Sequence, residues 1–302
     1  MISIAMTSFN GSKYIRDQLD SILRQAHTDY ELIICDDCST DETWEIISTY
    51  CAKDSRIKAF RNSQNIGFTR NFEKAISMCK GDFIALCDQD DIWLPNHLTV
   101  LLNNIGSSVM STADALLIDK EGCQKGIRLS YYTRLRKIPQ SNEDYAFTYF
   151  FFRNPYPGCN TLYKASFLKK ALPLGNPNIR LHDTWSSSLA CFLNLGISYT
   201  SEITMLYRIH DYSVTSKGKN RKRLSILRSF LSKIILSPNK SGYLKDQRYY
   251  YDEITSREFA LNNIQYEFLN CVNKYQNRRR TLLGRIQNVY FELKNFRKIY
   301  TQ

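Results

Sequence analysis

The sequence predicts an α/β fold: a mostly parallel sheet flanked by helices, followed by a basic helical C-terminal extension. Three observations predict it. Short apolar runs alternate with segments of helical spacing through the first 87 residues. Polar or acidic clusters follow the first, second and fourth of those runs. The excess positive charge is confined to the last 86 residues. Strand–helix alternation at this spacing implies parallel strands joined by crossover helices. In such sheets ligands sit beyond the carboxyl ends of the strands.

Taken in order, residues 2–7 read as the first strand, and Tyr14, Ile15, Leu19, Ile22 and Leu23 recur at helical spacing over 14–25. Residues 31–35 are a second strand. Ser39-Thr40-Asp41-Glu42 has the form of a capping box and should open a helix running to Tyr50. Residues 56–60 are a short strand, 68–79 a helix closed by Gly81, and 82–87 the next strand. After residue 105 the alternation loosens. Residues 113–119 and 161–164 read as strands, and 167–172 as a short helix. The aromatic run 147–152 is expected inside, and Pro155-Tyr156-Pro157-Gly158 is a turn. Residues 184–195 read as a helix starting at His182-Asp183, and 204–209 as a strand ending at His210. Residues 217–223 form a basic linker. The expected domains are 1–216, with halves 1–105 and 106–216, and the extension 217–302.

Asp88-Gln89-Asp90-Asp91 directly follows the apolar run 82–87. Three carboxylates in four residues at the end of a buried strand repel one another, and the cluster holds no cation of its own. Residues i and i+2 of an extended segment point the same way, so Asp88 and Asp90 can share one ion. Hard oxygen ligands suit Mg²⁺ or Mn²⁺, with substrate phosphates completing the shell. The alternative is a solvated acidic turn that caps the next helix.

Charge and cysteines bound the rest. Of the net +12, residues 1–216 carry 22 Lys/Arg against 23 Asp/Glu, whereas 217–302 carry 19 against 6. Any anionic partner therefore belongs to the extension. The nine cysteines are scattered without paired zinc spacing, and Cys35-Asp36-Asp37-Cys38 lacks a second pair; reduced thiols are expected. The chain begins with a strand-like run rather than a signal peptide, and no apolar stretch is long enough to span a membrane. A cytoplasmic location follows as the expectation.

The residues then resemble a family. Met6-Thr7-Ser8-Phe9-Asn10 follows the first strand. Cys35-Asp36-Asp37-Cys38-Ser39-Thr40-Asp41 stands where the family has a D-D-x-S-x-D segment. Asn65-Ile66-Gly67 precedes a helix, and Gly81-Asp82-Phe83-Ile84 leads into a D-x-D. In this order the pieces resemble glycosyltransferase family 2, the nucleotide-sugar transferases of GT-A fold, a Rossmann-like sheet. The likeness continues more thinly through Gly158-Cys159-Asn160, His182-Asp183-Thr184-Trp185 and Tyr207-Arg208-Ile209-His210. It covers about residues 1–216. The Asp-Gln-Asp-Asp-Ile-Trp-Leu-Pro form is similar to the branch with many surface-polysaccharide enzymes, including rhamnosyltransferases.

The resemblance implies inverting, metal-dependent transfer of a hexose or rhamnose from a UDP- or dTDP-sugar. The acceptor would be a lipid-linked glycan in bacterial O-antigen or capsule synthesis. Residues 1–105 would be the nucleotide-binding half and 106–216 the acceptor half. A divalent ion on Asp90, helped by Asp88, would neutralise the leaving diphosphate. His210 could complete the shell and Arg208 could reach diphosphate. Gln89 can offer an amide to donor hydroxyls or serve the fold. Asp37 is the candidate partner for the imide N–H of the base, while Asp36 orients the loop. Thr7 and Asn10 can meet base or ribose, or simply form a side-chain-bonded turn. Arg70 could meet diphosphate or be a solvated helix residue. Asp183 is the candidate general base, and an N-cap on the plainer reading. His27 and His97 carry no assignment, and His97 is expected to be partly exposed.

In the extension, Leu224, Leu227, Leu231 and Ile235 share one helical stripe beside Arg221-Lys222-Arg223. Such a segment can lie in an anionic membrane interface, which would make the protein peripheral on the inner membrane's cytoplasmic face. It can equally pack on the catalytic domain. Nucleic acid is not an expected partner, since the catalytic half is not basic. Two other functions remain open. A sugar nucleotidyltransferase would show a Gly-rich, basic loop after the first strand, which residues 7–13 match poorly. A non-catalytic nucleotide-sugar-binding relative is opposed by the presence of Asp88, Asp90 and Asp183.

Overall fold

A computed structural model describes residues 1–132, 157–173, 182–192 and 195–210. They belong to one compact unit made of residues 1–177 and 181–216. The aromatic run 147–152, the first half of the 155–158 turn and the whole of 217–302 lie outside the described residues.

The first part alternates as expected: β1 (Ile2–Ser8), α1 (Ile15–Leu23), β2 (Tyr30–Asp36), α2 (Thr43–Lys53), β3 (Ile57–Arg61), α3 (Phe68–Met78) and β4 (Phe83–Cys87). Every residue of β1 and β2 is buried. Continuous apolar runs of this kind are what a sheet covered on both faces requires. The helices bury one stripe each, through Ile15, Leu19 and Ile22 on α1 and Phe72, Ala75 and Ile76 on α3. The capping box does not form as read. α2 starts at Thr43, and Asp41 rather than Ser39 takes the Thr43 N–H, at 3.1 Å. Ser39 is drawn away because its hydroxyl bonds Asp36.

The second part is mixed. β5 (Ile92–Trp93), α4 (His97–Ile105), β6 (Met110–Ile118), β7 (Gln124–Arg128), α5 (Leu129–Tyr132), a 3₁₀ turn (Gly158–Asn160), β8 (Thr161–Lys164), α6 (Ala165–Leu168), α7 (His182–Phe192) and β9 (Ile197–Arg208) follow. The nine strands form one sheet in the order β3-β2-β1-β4-β8-β6-β9-β5, with β7 beside β6. β3, β2, β1 and β4 are parallel, and β6 is parallel to β9. β8 runs antiparallel to both β4 and β6. This reversal brings the amino end of β8 to the carboxyl end of β4. β9 is longer than read because its first half, polar over Ser198–Glu202, carries no apolar pattern. Among the described residues no helix is long and apolar enough to cross a membrane.

Buried polar bonds fasten the second part together. Asn160 donates to the Ala113 carbonyl at 2.7 Å and accepts from Thr204 Oγ1 at 3.2 Å. His97 Nδ1 lies 3.0 Å from that same Thr204 hydroxyl. Its ring stacks on Trp93 at 4.1 Å and is fully buried, contrary to the partial exposure read from sequence. The start of α4 is pinned inward by the Leu94 N–H on the Thr204 carbonyl and the Ala26 N–H on the Pro95 carbonyl. Burial holds the His97 imidazole down to about 3.

This has a pH consequence of definite sign. The folded form keeps His97 neutral while the unfolded chain takes up a proton below about 6.5. The stability contribution is therefore complete above that value and is lost as pH falls toward 3. Urea unfolding from pH 6 to 4 is expected to weaken about 1.4 kcal/mol per pH unit faster in the natural chain than in His97→Phe. Parallel curves would contradict it.

Candidate active site

β1 and β4 are neighbours, yet the chain leaves β1 toward β2 and leaves β4 toward the opposite side of the sheet. Such a reversal opens a crevice at the carboxyl ends. Register pairs Ser8 with Asp36 and Met6 with Cys87, so residues 7–12, 36–41 and 88–91 share one edge.

The first two loops hold each other. Asp36, fully buried, accepts from the Ser8 hydroxyl at 2.9 Å and from the Ser39 N–H at 2.9 Å. Asn10 Oδ1 accepts the Thr40 N–H at 2.8 Å, and the Asn10 N–H bonds Ser39 Oγ at 2.9 Å. Gly11 and Ser12 donate to Thr43 Oγ1 and Asp41 Oδ2. Asn10 and Cys38 take positive φ, 47° and 64°, a conformation costly outside glycine and concentrated at functional sites. Asp37, 2% exposed, accepts at Oδ1 from Asn62 Nδ2 and the Ile66 N–H, and at Oδ2 from the Gly67 N–H. Thr7 is buried at the end of β1, and Arg70 is exposed on α3.

The acidic loop is tied to the same wall. Gln89 accepts the Phe9 N–H at 2.9 Å and donates to the Phe9 carbonyl at 3.0 Å. Its amide fills the space over Gly11, where a Cβ would collide with Gln89 Oε1. Asp88 is half-buried. Burial, then repulsion from Asp90 and Asp183, pushes its carboxyl up to about 7. Asp91 is buried; burial, then Asp90 and Asp88, pushes it well above the ordinary carboxylate range. Its Oδ1 accepts the Arg208 N–H at 2.9 Å, while its Oδ2 makes no hydrogen bond. Ligand atoms of Asp88, Asp91 and Cys159 lie within 4.8 Å of one another. Asp90 turns elsewhere: its Oδ2 lies 2.7 Å from His210 Nε2.

Arg208 packs against the acidic run without pairing its charge to the Asp88 or Asp90 carboxylate. It is 3% exposed. Nε donates to the Asp90 carbonyl at 2.7 Å, and another guanidinium N–H reaches Asp17 Oδ2 at 3.0 Å. The guanidinium stacks on Tyr14 at 4.7 Å, and Tyr14 in turn meets His210 at 5.0 Å. Asp17 and Tyr14 carried no signal of this in sequence, being 191 and more positions away. The charge of Arg208 is paired to Asp17, so it supports the acidic loop by its backbone, and among the described residues Asp88 and Asp90 have no ion-pairing guanidinium.

Asp183 sits in the first turn of α7, 8% exposed, and accepts the Gly158 N–H at 3.2 Å. Its field reaches Asp88. His182 beside it is buried with both ring nitrogens unbonded, stacked on Phe72 at 4.1 Å, and burial pushes its imidazole below the ordinary histidine value. Gly158 and Cys159 enter the site through the β8 reversal, which local pattern could not reveal. Cys35, Cys38, Cys51, Cys79, Cys87, Cys123 and Cys159 are free thiols.

The donor chemistry fits a divalent cation. A carboxylate oxygen and an imidazole nitrogen converge to 2.7 Å, a second carboxylate is held out of its ordinary range, and a third has a buried, unbonded oxygen. Carboxylate oxygens suit Mn²⁺ and Mg²⁺.

Comparison with known proteins agrees with this architecture. The chain is 29% identical over 242 residues to the dTDP-rhamnosyl transferase RfbG of Shigella flexneri, covering 74% of this chain and 79% of that one. It is 36% identical over 99 residues to WfaP of Escherichia coli, a UDP-Glc:alpha-D-GlcNAc-diphosphoundecaprenol beta-1,3-glucosyltransferase. That match covers 33% of this chain and 39% of WfaP. The fold is shared with the mannosyltransferase PcManGT of Pyrobaculum calidifontis, solved in complex with GDP-Man and Mn²⁺. The TM-score is 0.57 at 10% identity, over 96% of this chain and 87% of that one. The profile of Glycosyl transferase family 2 matches residues 3–171, and the chain belongs to that family of glycosyltransferases.

Proposed function

We propose that this glycosyltransferase moves a sugar, hexose or rhamnose, from a UDP- or dTDP-sugar to a lipid-linked glycan acceptor, with inversion, in the synthesis of a bacterial surface polysaccharide. One observation carries the reading. Carboxylates from separate segments, Asp88 and Asp90 after β4 and Asp183 on α7, meet at the crevice closely enough for Asp183 to raise Asp88. The likeness to RfbG and WfaP supports the donor and acceptor classes.

In this reading Asp90, His210 and Asp88 would hold Mg²⁺ or Mn²⁺, Asp88 approaching from the group it forms with Asp91 and Cys159. When bound, the ion would neutralise charge on the departing diphosphate. Asp183 takes the proton of the acceptor hydroxyl as that oxygen bonds the anomeric carbon. The bond from that carbon to the diphosphate breaks, and the diphosphate leaves with the electron pair. A base and a leaving group on opposite faces give inversion. Thr7 and Asp37 are the residues offered to the nucleoside. Asp37 Oδ2 carries one hydrogen bond within the fold, and a carboxylate oxygen can accept a second, from an imide N–H. Asn10 and Gln89 shape this pocket through the bonds that join its loops, and Arg208 holds the acidic loop rather than the diphosphate.

A donor screen of UDP- and dTDP-sugars with Mn²⁺ or Mg²⁺, read by hydrolysis and transfer, tests the reading. Asp90→Ala is expected to abolish transfer while leaving thermal unfolding near that of the natural chain, and excess chelator should do the same. Full activity in chelator would remove the metal from the reaction.

Asp183→Asn keeps the size and capping ability but not the basicity. Nucleotide binding is expected to persist while transfer falls by roughly 10²-fold or more. Near-normal turnover would put the base elsewhere.

The basic, apolar-striped sequence 224–236 supports attachment to the cytoplasmic face of the inner membrane, where a lipid-linked acceptor is held. Binding to vesicles containing anionic lipid should weaken, but not vanish, as salt rises. Replacing Leu227, Phe230 and Leu231 by polar residues should reduce it while sparing transfer to a soluble acceptor. Unchanged vesicle binding in that variant would refute the attachment.

A further inference from the structure

We propose that Gly158 is a positioning residue for the Asp183 carboxylate, and that His182 is what forbids a side chain there. The inference rests on the reading of Asp183 as general base. The Gly158 N–H is a hydrogen-bond donor to Asp183 Oδ2, at 3.2 Å and away from solvent. A backbone donor on a 3₁₀ turn is a fixed point, and it sets the direction of the carboxylate.

That contact demands glycine for lack of space. A Cβ at residue 158 would stand 2.7 Å from His182 Nε2, 3.2 Å from Asp183 Cβ and 3.4 Å from His182 Cδ2. His182 has little room to give way. It is 6% exposed, its ring lies against Phe72 at 4.1 Å, and Phe68 meets it edge-on at 6.1 Å. Neither ring nitrogen makes a hydrogen bond, so packing alone fixes it. His182 thus acts as a wedge between α3 and the 158–160 turn. A methyl at residue 158 would push on the wedge and on Asp183 together, and would lengthen a bond that is already long. Misplacing a reacting group by about 1 Å can cost about 10²-fold in rate.

The test compares Gly158→Ala, the double variant Gly158→Ala/His182→Ala and Asp183→Asn, with kcat and donor KM measured separately. Thermal unfolding with UDP or dTDP and Mn²⁺ reports folding and nucleotide binding. Gly158→Ala is expected to lower kcat by roughly 10- to 100-fold with donor KM within about twofold. The double variant, with the wedge removed, should recover at least several-fold in kcat over Gly158→Ala. If Gly158→Ala does not fold, recovery of fold and turnover in the double variant supports the wedge, and failure of both overturns it. Unchanged kcat in Gly158→Ala, or a change confined to donor KM, also overturns it. Near-normal turnover in Asp183→Asn would instead sink the general-base reading. An inactive Asp183→Asn beside a fully active Gly158→Ala would sink the positioning role alone.

Discussion

The repulsion among the carboxylates at one sheet edge is the constraint on which the rest of this site depends. A parallel sheet whose order reverses between β1 and β4 delivers its loops to a single crevice. In this chain those loops are acidic. Burial raises a carboxyl in a partly dry crevice and like charges raise it further; together, burial first and then Asp90 and Asp183, they push Asp88 up to about 7. Groups so perturbed concentrate at functional sites because chemistry needs them there.

The surrounding bonds make sense as the means of holding that unfavourable cluster in place. Gln89 ties the acidic loop to the Phe9 backbone. Arg208 holds the Asp90 carbonyl and the Asp91 carboxylate from its own backbone and side chain, yet spends its charge on Asp17. Had the guanidinium paired with Asp88 or Asp90, the crevice would have been neutralised from within and would have less need of an external cation. Among the described residues the acidic loop is thus held through its backbone, while the Asp88 and Asp90 carboxylates have no guanidinium partner. That combination suits a site built to receive a cation with an anionic ligand.

How much of this was legible in the sequence follows from how local each signal is. β1, β2, β4 and the helices between them showed in apolar runs and helical spacing, and the polar clusters at their ends located the crevice. The two-residue β5 carries too little pattern to read, and the five exposed residues of β7 carry none. His97 was misread because its burial is imposed by β9, more than a hundred positions later. The pairing of Asp90 with His210 was within reach only through a family likeness, and Asp17 beneath Arg208 not at all. Gln89, Asn10 and Asp37 lie on the loops at the sheet edge that the polar clusters marked. Their hydrogen bonds to Phe9, Thr40 and the 62–67 segment arise from tertiary approach, which periodicity does not encode.

The claim that the acidic edge receives a divalent cation together with a nucleoside diphosphate is tested most directly by binding linkage. Titration calorimetry would measure UDP and dTDP binding to the full chain in saturating Mn²⁺ and in chelator, with the Mn²⁺ stoichiometry determined alongside. The account expects one Mn²⁺ per chain and, for at least one of the two nucleotides, affinity about tenfold or more tighter with the ion, since coupling between two ligands is reciprocal. Equal affinity with and without Mn²⁺ for both nucleotides would contradict it.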